Sequence, residues 1–165
     1  MIDLEKYDEE KQKQKLNAEE KENTKKQNKN LSRRALRENA FKIVFSSEFE
    51  QQTEEKVEIY CQIHNITMES DIEYLKQIVR ILNNNINHIQ AEITDKLRKD
   101  WEYNRIQKVS KALLKLAIIE IEYLKLDYKI AINEAINISK RYQDTKNTKF
   151  VNGVLASYVK TIDNK

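Results

Sequence analysis

The sequence has no proline and a single glycine, Gly153. Tight β-hairpin turns and glycine-rich phosphate loops depend on those residues, so both are excluded, and nearly every ordered residue is available to helix. There is one cysteine, Cys61. No intrachain disulfide can form, and a reducing, cytoplasmic setting is expected. No apolar run approaches the roughly 20 residues needed to span a bilayer, and no signal-peptide pattern opens the chain, so no membrane association is expected. Only two histidines occur, His64 and His88, in separate helical segments. There is no P-loop, no dinucleotide fingerprint and no H-E-x-x-H motif, and no serine or cysteine stands where a base would plainly activate it. The chain is therefore not expected to be an enzyme, and no catalytic residue, cofactor or metal is assigned. Cys61 and His64 have a spacing that could share a metal, but two ligands alone make a poor site. A packed thiol beside a partly buried imidazole is the preferred reading.

What the chain does have is charge. Asp, Glu, Lys and Arg make up 35% of its 165 residues, with a net charge of +3 and a pI near 8.8, a mild pointer to nucleic acid. The length suits one packed domain. The first 30 residues form a low-complexity arm carrying eight lysines and eight acids, so the net charge belongs to the remainder. The arm has almost no apolar face, and a disordered or frayed solvated helix is expected over residues 1–31. An all-helical domain is expected over 32–165.

Ser32 is placed to cap a helix that runs to about Phe49, with Ala40, Phe41, Ile43, Val44 and Phe45 on its buried face. Its first turns carry Arg33, Arg34 and Arg37, with Lys42 further along. Cations at a helix N-terminus oppose the macrodipole by a few tenths of a kcal/mol each. Such a cluster is better explained by a partner than by helix stability, although an ordinary solvated face has the same spacing. A weaker helix follows over 51–65, with Val57, Tyr60, Cys61 and His64 on one side. Thr67 then caps the longest helix, whose residues Ile72, Leu75, Val79, Leu82, Ile86, Ile89 and Ile93 form a heptad-like seam. That seam fits either a coiled-coil dimer or packing along an antiparallel neighbour in a bundle, and the bundle is preferred. A break is expected over 94–100. The segment 101–127 holds the central, most apolar helix, and Asp127 caps the next.

The closing stretch reads as a helical hairpin. Ile132, Ala135, Ile136, Ser139 and Tyr142 recur at helical spacing, as do Phe150, Val151, Val154, Leu155, Tyr158 and Val159. A polar loop at 144–148 joins them, with Asn147 or Thr148 as the cap. Gly153 falls inside the second helix at a cost of about 1 kcal/mol relative to alanine, and close backbone packing against a neighbour is the expected reason for it.

The wording is more specific than the periodicity. I-N-E-A at Ile132–Ala135, K-F-V-N-G-V-L at Lys149–Leu155, R-R-A-L-R-E at Arg33–Glu38, and the run of Trp101, Arg105, Ile106, Val109, Ala112, Leu114, Leu116, Ala117 and Glu120 together resemble the NusB family of transcription antitermination factors. The resemblance covers roughly 32–162 and is densest over 101–160. It implies a compact all-helical bundle of two small helical subdomains that binds single-stranded boxA RNA jointly with NusE, a ribosomal small-subunit protein. The pair would promote read-through and maturation of ribosomal RNA within the RNA polymerase antitermination complex.

By the same resemblance Arg33, Arg34, Arg37 and Lys42 lie beside the loop carrying Lys146, Lys149 and Phe150, and with Asn152 they make up the RNA-binding set. Phe150 fits either the core or a base-stacking edge, and Asn152 either an RNA contact or the packed hairpin. Phe49, Asn104 and Ser110 are assigned to the NusE face. That assignment carries a departure, because the family's acid-rich stretch there is replaced by Asn104, Arg105 and Ser110. Lys146 stands where the family carries an acid, which should strengthen RNA binding, and the charged arm has no counterpart in a typical member. The competing reading is a non-enzymatic helical scaffold or coiled-coil homodimer without sequence-specific RNA binding.

Overall fold

The computed structural model describes residues 4–27 and 29–164. Among the described residues seven α-helices follow one another: α1 (Leu4–Gln27), α2 (Arg33–Ser46), α3 (Glu54–Ile63), α4 (Glu69–Asp95), α5 (Lys108–Ile118), α6 (Tyr128–Tyr142) and α7 (Thr145–Asp163). A 3-10 turn at Tyr103–Arg105 precedes α5, and a π-helical turn at Ile119–Tyr123 continues it. No strand occurs among the described residues. Over α1 the arm is helical, and the side chains described there are exposed. Its end is tied to the start of α4, where the Leu31 N–H donates to Asp71 Oδ2 at 2.8 Å and the Ser70 hydroxyl donates to Asn30 Oδ1.

α5 forms the centre, packed against α2, α4, α6 and α7. Every residue from Ser110 to Ile121 is buried, as expected of a helix surrounded on all sides. α2–α4 and α5–α7 form two groups of three helices that share one continuous core. The seam of α4 is spent inside it: Leu75, Val79, Leu82, Ile89 and Ile93 are buried, with Ile72 and Ile86 at its margin. α4 is not straight. Asn85 leaves helical geometry (φ −129°, ψ 17°), and its side-chain amide donates to the Ile81 carbonyl at 2.9 Å. A side chain inserted into the backbone ladder is a recognised cause of a kink.

Several boundaries differ from the sequence expectation. α2 ends at Ser46, and the cap of α4 is Met68 rather than Thr67. The central helix begins at Lys108, because residues 96–107 form an irregular connection. His64 is exposed and lies tilted against the Tyr60 ring, with centroids 4.1 Å apart, while Cys61 is packed in the core, so thiol and imidazole do not converge. In α6 the fully buried positions are Ala131, Ala135, Ile138 and Ser139, and Tyr142 is exposed. The face is rotated because Tyr142 reaches across the surface to α2 instead of inward: its hydroxyl donates to Glu38 at 2.6 Å and its ring rests on Phe41. With glycine so scarce, the left-handed positions that end α3 and the π turn fall to Asn65 (φ 53°) and Lys125 (φ 56°).

The π turn places two carboxylates that tie the bundle together. Glu120 accepts from Arg37 Nε of α2 at 2.8 Å and from the Tyr74 hydroxyl of α4 at 2.9 Å. Glu134 of α6 lies 3.7 Å from the same guanidinium. Glu122, two residues on, meets His88 of α4 and the Tyr158 hydroxyl of α7 at 2.8 and 2.9 Å. Burial pushes the Glu120 carboxyl up, and the Arg37 guanidinium with the two hydrogen bonds holds it back. Removing one member of such a pair strands a buried charge, at roughly 3–5 kcal/mol, whereas replacing both with apolar groups is far milder. Glu120→Gln should therefore lower stability by about 3 kcal/mol in chemical denaturation. An Arg37→Met/Glu120→Leu double variant should be markedly more stable than either single change. Additive losses would show that the two residues are not coupled.

Candidate nucleic-acid interface

α6 and α7 are separated by two residues only. Asp144 caps α7, accepting from the Asn147 backbone N–H and from its side-chain amide, each at 2.8 Å. The polar stretch expected as a loop is thus the first turn of a helix, and neither Asn147 nor Thr148 is the cap. Thr148 instead faces inward, its hydroxyl 2.7 Å from that of Ser139. Lys146 and Lys149 consequently project from the opening turns of α7, whose first turn carries no acid beyond the capping Asp144. The first turn of α2, capped by Ser32, likewise carries Arg33 and Arg34 without an acid. Both helices open with cations against their own dipole.

Next to α7 the irregular connection after α4 brings up Trp101. Its ring stacks on Phe150, with centroids 5.1 Å apart and planes 21° from parallel. Phe150 is half-buried against the core and Trp101 is exposed, so the pair forms an aromatic platform at the surface with Phe150 on its inner side. Two grooves flank it. One, about 260 Å³, has Arg105, Lys146 and Asn147 on its walls. The other, about 370 Å³, is walled by Lys96, Arg98, Lys149 and Gly153. A third and wider groove, about 520 Å³, runs between α6 and α7 beside Lys149 and Asn152. Asn152 is exposed there rather than absorbed by the hairpin. Cations interleaved with aromatics are what a flexible single strand requires: charge for phosphates and flat faces for bases.

The structure divides the sequence-assigned residues. Lys146, Lys149, Phe150 and Asn152 share α7. Arg33 and Arg34 are exposed at the start of α2, but α6 lies between the two groups. Arg34 reaches Glu134 on one side of α6 at 3.6 Å, while Lys149 and Asn152 share a groove with Asn133 and Ile136 on the other. Arg37 departs most from its expected place. It is 9% exposed, and its guanidinium points inward to Glu120, so its chemistry is structural. Lys42 is exposed further along α2. Nearby, the Tyr142 hydroxyl and Arg141 hold the Glu38 carboxyl below the usual range, with burial opposing them.

Of the residues assigned to a protein partner, Phe49 is exposed, edge-on to Phe45 at 5.3 Å, with Lys108 Nζ 4.2 Å from its ring centre. Asn104 is exposed on the 3-10 turn. Ser110 is fully buried and donates to Gln143 Oε1 at 3.0 Å. It cannot meet a partner, because α5 begins at Lys108 and turns this residue toward the α6–α7 corner. Sequence reasoning used Trp101 only as family wording and passed over Arg98, both exposed here. The signal was present in the run K-L-R-K-D-W at Lys96–Trp101, where cations crowd an aromatic.

The NusB family model matches residues 34–160. The transcription antitermination protein NusB of Ligilactobacillus salivarius is 34% identical over 130 residues, spanning 78% of this chain and 98% of that protein. The protein of the same name from Acetivibrio thermocellus is 33% identical over 132 residues, spanning 79% and 90%. T. maritima NusB superposes with a TM-score of 0.70 at 30% identity, covering 80% of this chain and 93% of that one. A structure of antitermination factors NusB and NusE in complex with double-stranded RNA also gives a TM-score of 0.70, at 26% identity, with coverage of 78% and 96%. From α2 to the end of α7, in sequence as in fold, the chain belongs to the NusB family.

Proposed function

We propose that the protein is a transcription antitermination factor that binds single-stranded, boxA-type RNA together with NusE and so promotes read-through and maturation of ribosomal RNA in the antitermination complex of RNA polymerase. The observation that carries this reading is the Trp101–Phe150 stack, set at the N-terminus of α7 between Lys146, Lys149, Arg98 and Arg105. It is supported by the NusB–NusE–RNA complex whose NusB-type fold this chain resembles. The NusE contact is assigned to Phe49, with the Lys108 ammonium over its ring, and to Asn104. The scaffold or coiled-coil reading is weakened by the fate of its main feature, since the seam of α4 is buried within the chain.

Binding of a fluorescent boxA-like RNA, with and without NusE, tests the reading against a scrambled control. Wild type should prefer the boxA-like strand, and NusE should tighten that preference. No preference and no effect of NusE would leave the family membership standing and remove the function. Two variants locate the surfaces. Each phosphate contact to a single strand contributes about 0.7 to the slope of log affinity against log salt. Lys146→Ala/Lys149→Ala should thus flatten the slope by about 1.4 while the protein stays helical by circular dichroism. Phe49→Ala should weaken the ternary complex about tenfold, as loss of an aromatic anchor does, and leave binding of RNA alone unchanged. If Phe49→Ala assembles with NusE as wild type does, that surface is misassigned.

A further inference from the structure

Gly153 has no structural justification within the fold. It lies in the middle of α7, ten residues before the helix ends at Asp163, so it is not a helix stop. Its φ is not positive, so the backbone makes no demand that only glycine meets. Nor does it admit a neighbour, which the sequence alone suggested: a Cβ built at this position meets nothing within 4 Å. The chain's one glycine therefore lowers helix stability at a site where alanine would fit.

The space that the absent side chain leaves open belongs to the larger groove beside the aromatic platform. Lys149, Phe150 and Gly153 line one wall from α7, and Lys96, Arg98 and Trp101 line the other from the connection after α4. The groove holds about 370 Å³, within the roughly 300–1,000 Å³ typical of small-ligand sites. Its apolar boundary is the Trp101–Phe150 stack, and its exposed rim carries Arg98 and Lys149. A flat, polar-edged ring attached to a phosphate matches that combination: the ring lies along the aromatic wall while the cations hold the phosphate.

We infer that this groove is a nucleobase pocket for single-stranded RNA, and that Gly153 is the residue that keeps it open. The inference rests on the RNA-binding reading and deepens it. A base enters between Gly153 and the Trp101 ring, and any side chain at position 153 takes up part of that space. Gly153 is then a steric determinant of binding, retained against the stability of its own helix.

The test separates stability from binding. Gly153→Ala should raise the melting temperature by about 3 °C, as expected for a gain in helix propensity in a domain of this size. Gly153→Leu tests the steric claim with a larger helix-compatible side chain. Affinity for single-stranded RNA should fall several-fold for Gly153→Ala and 10-fold or more for Gly153→Leu, the range over which pockets discriminate small groups. Trp101 is the chain's one tryptophan, so its fluorescence reports the pocket directly. RNA should quench it in wild type, and RNA held by residual phosphate contacts in Gly153→Leu should leave it unquenched.

If both variants bind RNA and quench as wild type does, while Lys146→Ala/Lys149→Ala loses affinity, the pocket is refuted and the RNA-binding surface stands. If the double lysine variant also binds as wild type does, the RNA-binding reading itself has failed.

Discussion

The buried ion pair between Arg37 and Glu120 is the constraint on which the rest of the bundle depends. It joins α2 to the π turn that ends α5, recruits Tyr74 from α4, and draws Glu134 of α6 to the same guanidinium. Four elements thus converge on one ion pair. A charge that deep is tolerable only with its partner in place, so helices that are wrongly registered strand it. The π turn is part of the device. By widening the last turn of α5 it places Glu120 toward α2 and α4, and Glu122 toward His88 and Tyr158. A regular helix would rotate these side chains differently. π turns of this kind are common where geometry matters more than local stability.

With its interior fixed in this way, the protein spends stability at the surface. The first turns of α2 and α7 carry cations and no acids, against the preference of their dipoles, with Asp144 at the cap of α7 as the one counterweight. α7 also carries an exposed glycine at its centre. Each feature is mildly unfavourable for folding, and each borders a groove or platform at the surface. Local stability given up at an accessible site, next to stacked aromatics, is what a binding surface for an anionic strand requires. Opposed helix dipoles, open grooves and aromatic faces are otherwise poor choices for a helical bundle.

Much of this was legible in the sequence. The absence of proline and the single glycine left helix as the expected regular structure, and the seam of α4 with the apolar wording of the central helix placed the core correctly. Ser32 and Asp127 cap the helices they were expected to cap. The partner of Glu120, 83 positions away, could not be read. The failures have a common physical origin. Arg37 counted as surface because periodicity cannot tell an exposed cation from one turned inward to a distant acid. Ser110 was carried to the partner face by resemblance to the family, which does not show that in this chain its hydroxyl turns inward to Gln143. Gly153 was given a packing role because sequence shows the cost of a glycine but not whether a neighbour fills the space. Tertiary partners, unlike caps and seams, leave no local trace.

The claim that the aromatic platform and its two grooves receive the RNA can be tested without mutation. Single-stranded RNA carrying 4-thiouridine would be photo-crosslinked to the full chain and the modified peptides mapped by mass spectrometry. The expected crosslinks fall on Trp101, Phe150 and the opening turns of α7, with none on the outer face of α3, where Ile59 and Ile63 are exposed. Crosslinks spread along α3, or absent from Trp101 and Phe150, would contradict the placement of the binding surface.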